Sequence, residues 1–189
     1  MTKRCKPSLL WLTRLILGVL PSTRFFPLKC KLLSMSGVNV QPTARLCSSL
    51  RIVTSGHLTI GADTFIGHEV LISGGDSSII VGNYCDIAPR VTIVSGGHEV
   101  AGTGLRAAGP GNSKPIVIED GVWIGAGSII LGGVRIGQHS VIGAGSVVIR
   151  DIPPYSVAVG SPCQVRRHIP SEAKGLIDQT FRPISECGL

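Results

Sequence analysis

Aromatic residues make up only 4% of the 189-residue chain, and no acidic residue occurs before Asp63. With so few rings, Ile and Val have to fill the core, which favours strands over helices. Residues 1–62 carry nine Lys/Arg and no acid, leaving nine basic against eleven acidic groups in the remainder. The formal charge of +7 therefore belongs to the N-terminal segment. No interleaving of basic and aromatic residues marks a nucleic-acid surface, so nucleic acid is excluded as a partner. Six cysteines (Cys5, Cys30, Cys47, Cys85, Cys163 and Cys187) show no CxxC pair. They read as reduced, buried thiols in a reducing compartment. There is no Walker motif and no GxGxxG fingerprint. His98 lacks the second and third histidines of a zinc site, so no metal is expected.

Long apolar runs are also missing. The strongest, "SLLWLTRLILGVL" (residues 8–20), has thirteen residues and is broken by Arg14, short of the ~20 that span a bilayer. With Lys3, Arg4, Lys6 and Arg14 nearby, it reads as a helix suited to a membrane interface or to packing on the body or a neighbouring subunit. "PLKCKLLSMSG" reads as a second short helix, with Pro27 in its first turn and Gly37 past its end.

From residue 38 onward the chain is periodic. Val40, Leu46 and Ile52 lie six apart, as do Ile60, Ile66 and Ile72, then Val81, Ile87 and Ile93. Ile118, Ile124 and Ile130 form a fourth set, and Ile136, Ile142 and Val148 a fifth. Glycine follows many of them, as at Gly61, Gly67, Gly82, Gly125, Gly137 and Gly143. At ~1 kcal/mol each, these glycines argue against a helix. A six-residue period is the mark of a β-helix, three faces to a triangular coil.

The period breaks three times: two extra residues precede Ile60, three precede Val81, and nineteen separate His98 from Ile118. The long excursion in "SGGHEVAGTG" points to function rather than to the solenoid's own needs. Histidine suits that place, because an imidazole with an unperturbed pKa of ~6.5 is available as a general base at neutral pH.

"IEDGVWIGAGSIILGGVRIGQHSVIGAGSVVIRDIPPYSVAVGSPCQVRR" (residues 118–167) resembles the hexapeptide-repeat acyltransferases. It looks most like the branch of maltose, galactoside and polysaccharide O-acetyltransferases, and the resemblance runs from about residue 38 to 168. It implies an all-β fold, a left-handed parallel β-helix; the period alone does not show the hand. The expected organisation is a basic, apolar helical segment (1–37), the β-helix (38–168) with a protruding loop (99–117), and a short helical tail (169–189).

The resemblance further implies acetyl-CoA as cosubstrate, a homotrimer, and His98 as the catalytic base of direct transfer to a hydroxyl. "CDIAPRVTIVSGGH" matches the approach to that base and "KPIVIEDGVWIG" the return. Carried over residue by residue, Trp123 lines the tunnel beside the base, and Ala126, Ala144, Ile149 and Arg150 contact the coenzyme. Arg167 meets its nucleotide phosphate, and the N–H near Ala126 steadies the oxyanion. Arg150 stands where Lys is common and Ile149 where Thr is. His68 replaces an acceptor-touching asparagine thirty residues before the base, and Asp76 matches an acceptor-contacting acid. Glu99 and a backbone carbonyl are alternative orienters of His98. His57, His139 and His168 read as surface residues.

The basic, apolar N-terminus points to a sugar hydroxyl on a surface polysaccharide or its lipid-linked precursor, and so to polysaccharide biosynthesis. The expected location is cytoplasmic, with peripheral contact at the inner face of the membrane through residues 1–35. A soluble acceptor (free sugar, sugar-nucleotide amine or antibiotic) is the alternative, and a non-catalytic β-helix scaffold the third reading.

Overall fold

The computed structural model describes residues 4–100 and 105–170. The six-residue period becomes a three-faced solenoid of parallel strands. Its first face stacks Asn39–Val40, Leu58–Ile60, Ile79–Val81, Ile116–Ile118 and Arg135–Ile136. The second stacks Arg45–Leu46, Phe65–Ile66, Asp86–Ile87, Trp123–Ile124 and Val141–Ile142, then Ser156–Val159 and Gln164–His168. The third stacks Arg51–Val53, Leu71–Ser73, Thr92–Val94, Ile129–Leu131 and Val147–Val148. This is the left-handed parallel β-helix that the resemblance implies.

The aliphatic sets fall into vertical register. Val40, Ile60, Val81, Ile118 and Ile136 are successive partners on the first face. Leu46, Ile66, Ile87, Ile124 and Ile142 follow on the second, and Ile52, Ile72, Ile93, Ile130 and Val148 on the third. All but Val40 and Ile52 are buried. Each burial contributes about 1.5–3 kcal/mol before conformational entropy is charged against it. Like stacks on like because every coil presents the same face to the next.

Two helices cover the first coil. Helix α1 (Pro7–Val19) buries Leu10, Thr13 and Leu17, one stripe at helical spacing. Helix α2 (Phe26–Met35) buries Lys29, Cys30 and Leu33. It ends before Gly37, whose φ of +92° and close approach to the Arg4 carbonyl both suit glycine. The two helices meet where Thr13 Oγ1 lies 2.7 Å from Ser36 Oγ. Lys29, one of the nine basic residues of the N-terminal segment, is fully buried. Its ammonium donates to the carbonyls of Pro21 (2.9 Å), Ser22 (2.6 Å) and Leu46 (3.1 Å). Those bonds compensate for desolvation and pin α2 to the coil.

At the other end Gln164–His168 pairs antiparallel with Ser156–Val159. Its exposed Arg166, Arg167 and His168 put charge on the last edge, which discourages further stacking. The expected helical tail lies, from residue 171 on, outside the described residues. Among the described residues no helix is long and apolar enough to cross a membrane.

Candidate active site

All three breaks in the period come out at one corner, between the third face and the first. The sequence placed the long excursion after His98. The structure starts it earlier: Gly96–Val100 pairs antiparallel with Ala108–Ser113, so His98 stands inside a projecting two-stranded ribbon opposite Gly111. Residues 101–104 lie outside the described residues. The ribbon's return is tied to the preceding insertion, where the hydroxyls of Ser77 and Ser113 are 2.9 Å apart and the Ser77 N–H donates to Ser113 Oγ (3.2 Å). At its base the Lys114 N–H donates to the Ser95 carbonyl (2.9 Å).

His98 is exposed, and its Nδ1 lies 2.9 Å from the carbonyl oxygen of Gly109. A carbonyl only accepts, so Nδ1 carries the proton and a neutral ring keeps its lone pair on Nε2. The orienting group is this backbone carbonyl; among the described residues no hydrogen bond joins Glu99 to the ring. The ring borders a hollow of about 610 Å³ whose other walls include Ser55, Asp76, Asn112 and Ser113. Five of its twelve lining residues are glycines, Gly74, Gly75, Gly96, Gly97 and Gly111, which leave the floor open to a polar molecule. Asp76 Oδ1 accepts from Arg4 Nη2 (2.7 Å) and Ser55 Oγ (2.9 Å). The N-terminal segment thus reaches into the wall of the histidine hollow, a link that no residue pattern announces.

The second corner, between the second and third faces, keeps the period. Ala126 and Ala144 stand there one coil apart and exposed, with the Gly145 N–H donating to the Ala126 carbonyl (2.9 Å). Their own amides find no acceptor within the chain among the described residues. His68, Glu69, Pro89, Arg90, Ala126 and Gly127 line a hollow of about 570 Å³. His68 Nδ1 lies 3.5 Å from Ser49 Oγ, and Glu69 takes the Arg90 Nε–H at 2.8 Å. Beside it Trp123, 56% exposed, borders a hollow of about 380 Å³ with Phe65, Asp86, Ala88 and Pro89.

One chain therefore does not gather all the residues named from the sequence. His98 and Asp76 share one hollow; His68 sits with Ala126 at the other corner. Ile149 and Arg150 lie exposed at the His98 corner two coils further on, and Arg167 lies exposed on the closing strand opposite Val157. Of the remaining histidines, His139 stacks on Tyr155 (5.2 Å between centroids) and His168 Nδ1 is 3.1 Å from Ser156 Oγ.

The five described cysteines are buried and free of disulfides. Burial pushes the Cys30 thiol up to about 11 and that of Cys85 to about 12, so neither is a nucleophile at neutral pH. Among the described residues no three His, Cys, Asp or Glu side chains converge.

Residues 115–150 match the family described as bacterial transferase hexapeptide (six repeats). The galactoside O-acetyltransferase of Lactococcus lactis is 51% identical over 94 residues, 50% of this chain and 45% of that protein. Its counterpart in Escherichia coli is 49% identical over 94 residues, 50% of this chain and 46% of that protein. The chain thus spans about half the length of the curated relatives it matches. A maltose O-acetyltransferase from Clostridium difficile superimposes with a TM-score of 0.67 at 28% identity, covering 88% of this chain and 87% of that one. A hexapeptide-repeat-containing acetyltransferase from Vibrio cholerae, complexed with acetyl coenzyme A, gives 0.65 at 25% identity, covering 87% of each. Residues 115–150 thus carry the hexapeptide repeat of that family, and along it the chain is similar to O-acetyltransferases of galactosides and maltose.

Proposed function

We propose that the protein transfers acetyl from acetyl-CoA to a sugar hydroxyl, with His98 as general base. The observation that carries this reading is the Nδ1–H···O=C bond to Gly109, which leaves Nε2 as a proton acceptor at a polar, glycine-floored hollow. Nε2 takes the hydroxyl proton as the sugar oxygen bonds to the thioester carbonyl carbon. The tetrahedral oxyanion is held by a backbone N–H, for which Ala126 is our candidate. It collapses with loss of the C–S bond, and the imidazolium returns its proton to the departing thiolate.

The active unit in this reading is a homotrimer. Base and amides stand at different corners of the triangle, so a complete site needs one copy's His98 ribbon against another copy's Trp123–Ala126 corner. There Trp123, Ala126, Ala144, Ile149, Arg150 and Arg167 bind the coenzyme, and Asp76 and His68 face the acceptor. The acceptor is a surface-polysaccharide sugar or its lipid-linked precursor, and the enzyme works at the cytoplasmic face of the membrane. The support for that face is α1, whose outer side leaves Trp11, Leu12, Leu15, Ile16 and Val19 exposed on the basic segment.

The test is thiol release from acetyl-CoA with a panel of galactosides and oligosaccharides. Release that His98→Ala abolishes supports the reading; release unchanged by that substitution overturns the mechanism, and none with any acceptor overturns the activity.

A further inference from the structure

Arg4 stands ahead of α1, yet its place is set from several sides. The Cys5 N–H donates to the Gly56 carbonyl (3.0 Å) and the Lys6 N–H to the Ser36 carbonyl (2.9 Å). These bonds tie the segment to the first break in the period and to the end of α2, while the Arg4 carbonyl packs against Gly37. One edge of the guanidinium then bridges the first two breaks. Its Nε–H donates to the Ser55 carbonyl (3.3 Å) and its Nη2–H to Asp76 Oδ1 (2.7 Å). Ser55 Oγ donates to the same Oδ1 (2.9 Å), and both Ser55 and Asp76 line the His98 hollow. Oδ2 of Asp76 meets no donor among the described residues. The Arg4 and Asp76 side chains are 57% and 76% exposed, and an ion pair so open to water adds little to folding stability. Its effect is on orientation: two donors on one oxygen fix the rotation of the carboxylate and leave the other oxygen available. An ionised carboxylate only accepts, so the partner of Oδ2 has to be a donor such as a hydroxyl.

We propose that Arg4 is a positioning residue of the acceptor hollow: it holds Asp76 so that Oδ2 accepts a hydrogen bond from a second hydroxyl of the acceptor, beside the one that His98 activates. The acceptor class is then a sugar with at least two free hydroxyls at its reacting end. The N-terminal segment is a working part of the site as well as a cap on the first coil. This rests on the reading of the His98 hollow as the acceptor site, but it is tested by binding alone.

The test is sugar binding to the full chain without acetyl-CoA. Saturation-transfer NMR follows titrations of methyl β-galactoside, methyl β-maltoside and their monodeoxy analogues. Arg4→Gln is expected to weaken sugar binding about tenfold, the loss of one oriented bond to a charged group. Its melting temperature and its affinity for coenzyme A should not change. Asp76→Asn should weaken the sugar to a similar degree, and the double variant should bind no more weakly than Asp76→Asn, because Arg4 acts through that side chain. One monodeoxy analogue should bind the unaltered chain about tenfold more weakly than its parent sugar and lose nothing further in Arg4→Gln. The proposal is overturned by no sugar binding, or by binding that Arg4→Gln leaves unchanged. Losses that add in the double variant, a melting temperature that falls with the affinity, or an Arg4 effect shared by every deoxy analogue would also overturn it. A sugar that binds through Arg4 but receives no acetyl group would sink the transfer reading alone. Transfer to a sugar whose binding ignores Arg4 would sink this proposal alone.

Discussion

The two corners to which the proposed chemistry is assigned are built in opposite ways. At the Ala126 corner every coil keeps the six-residue repeat, and the result is a ladder of like positions: Gly67, Ala88, Gly125 and Gly143 follow Ile66, Ile87, Ile124 and Ile142. At the His98 corner the repeat is broken on three successive coils, and each break holds the next in place. Thr54 Oγ1 donates to the Gly75 carbonyl (3.0 Å), and Ser77 meets Ser113. A repeated corner offers the same backbone groups over and over, which suits a long cosubstrate lying along the coils. A broken corner places one side chain that occurs nowhere else, which suits a base.

The largest effect expected from this contrast is on the broken corner. His98→Ala should lower acetyl transfer by about 10²- to 10⁴-fold, the range of a lost general base, with an unchanged melting temperature, because the ring is exposed and packs on nothing in the core. Steady-state rates and thermal melts check both halves. At the repeated corner, Ala126→Trp places a bulky ring over the hollow of His68 and Pro89. It should raise the KM for acetyl-CoA by about tenfold or more and leave the melt alone; an unchanged KM would remove the coenzyme from this corner.

Glycines sharpen the comparison. A Cβ on Gly125 would stand 2.5 Å from the Ala144 amide nitrogen, whereas one on Gly111 comes no nearer than 3.9 Å to His98 Cε1 and 4.0 Å to the Gly97 carbonyl oxygen. Gly125→Ala should therefore cost about 1–3 kcal/mol of stability and Gly111→Ala within about 0.5 kcal/mol, read by denaturant unfolding. Equal costs would mean that the two corners are equally tight.

The smallest effect lies at the buried third corner, between the first and second faces. Burial raises the Cys85 thiol to about 12, above the ~8.5 of an unfolded thiol. Folding thus favours the protonated form. Its contribution is complete below pH ~8.5 and shrinks as pH rises toward 12. Cys85→Ala should be the less stable protein at pH 7, and its gap to the unaltered chain should narrow above pH 9. A gap independent of pH would contradict the burial of the thiol.

The repeated corner was readable in the sequence because its aliphatic period maps directly onto register: all fifteen named positions are each other's strand partners. The broken corner was readable only as a break. Gly96–Val100 and Ala108–Ser113 contain Gly109, Pro110 and Gly111, poor strand formers, so nothing in "AGPGNS" announced a ribbon that begins before His98. The Gly109 carbonyl that fixes the imidazole is invisible in sequence for the same reason, since backbone atoms carry no residue signal. Lys29 was missed because a lysine reads as surface charge until three carbonyls are seen to surround it. The bond from Arg4 to Asp76 was missed because it joins segments seventy-two residues apart. The periodicity says nothing about coil handedness; that expectation came from the resemblance.

The central claim is that the base and the coenzyme corner belong to different copies of the chain. The most direct test mixes two impaired variants, His98→Ala and Ala126→Trp, by co-expression or by unfolding and refolding together, and assays them at acetyl-CoA well below the KM of either. In a mixed trimer some interfaces join an intact His98 to an intact Ala126, so acetyl transfer should return to about a quarter of the unaltered rate for random assembly. Mixtures that assemble together yet stay as impaired as the separate variants would contradict a site shared between copies.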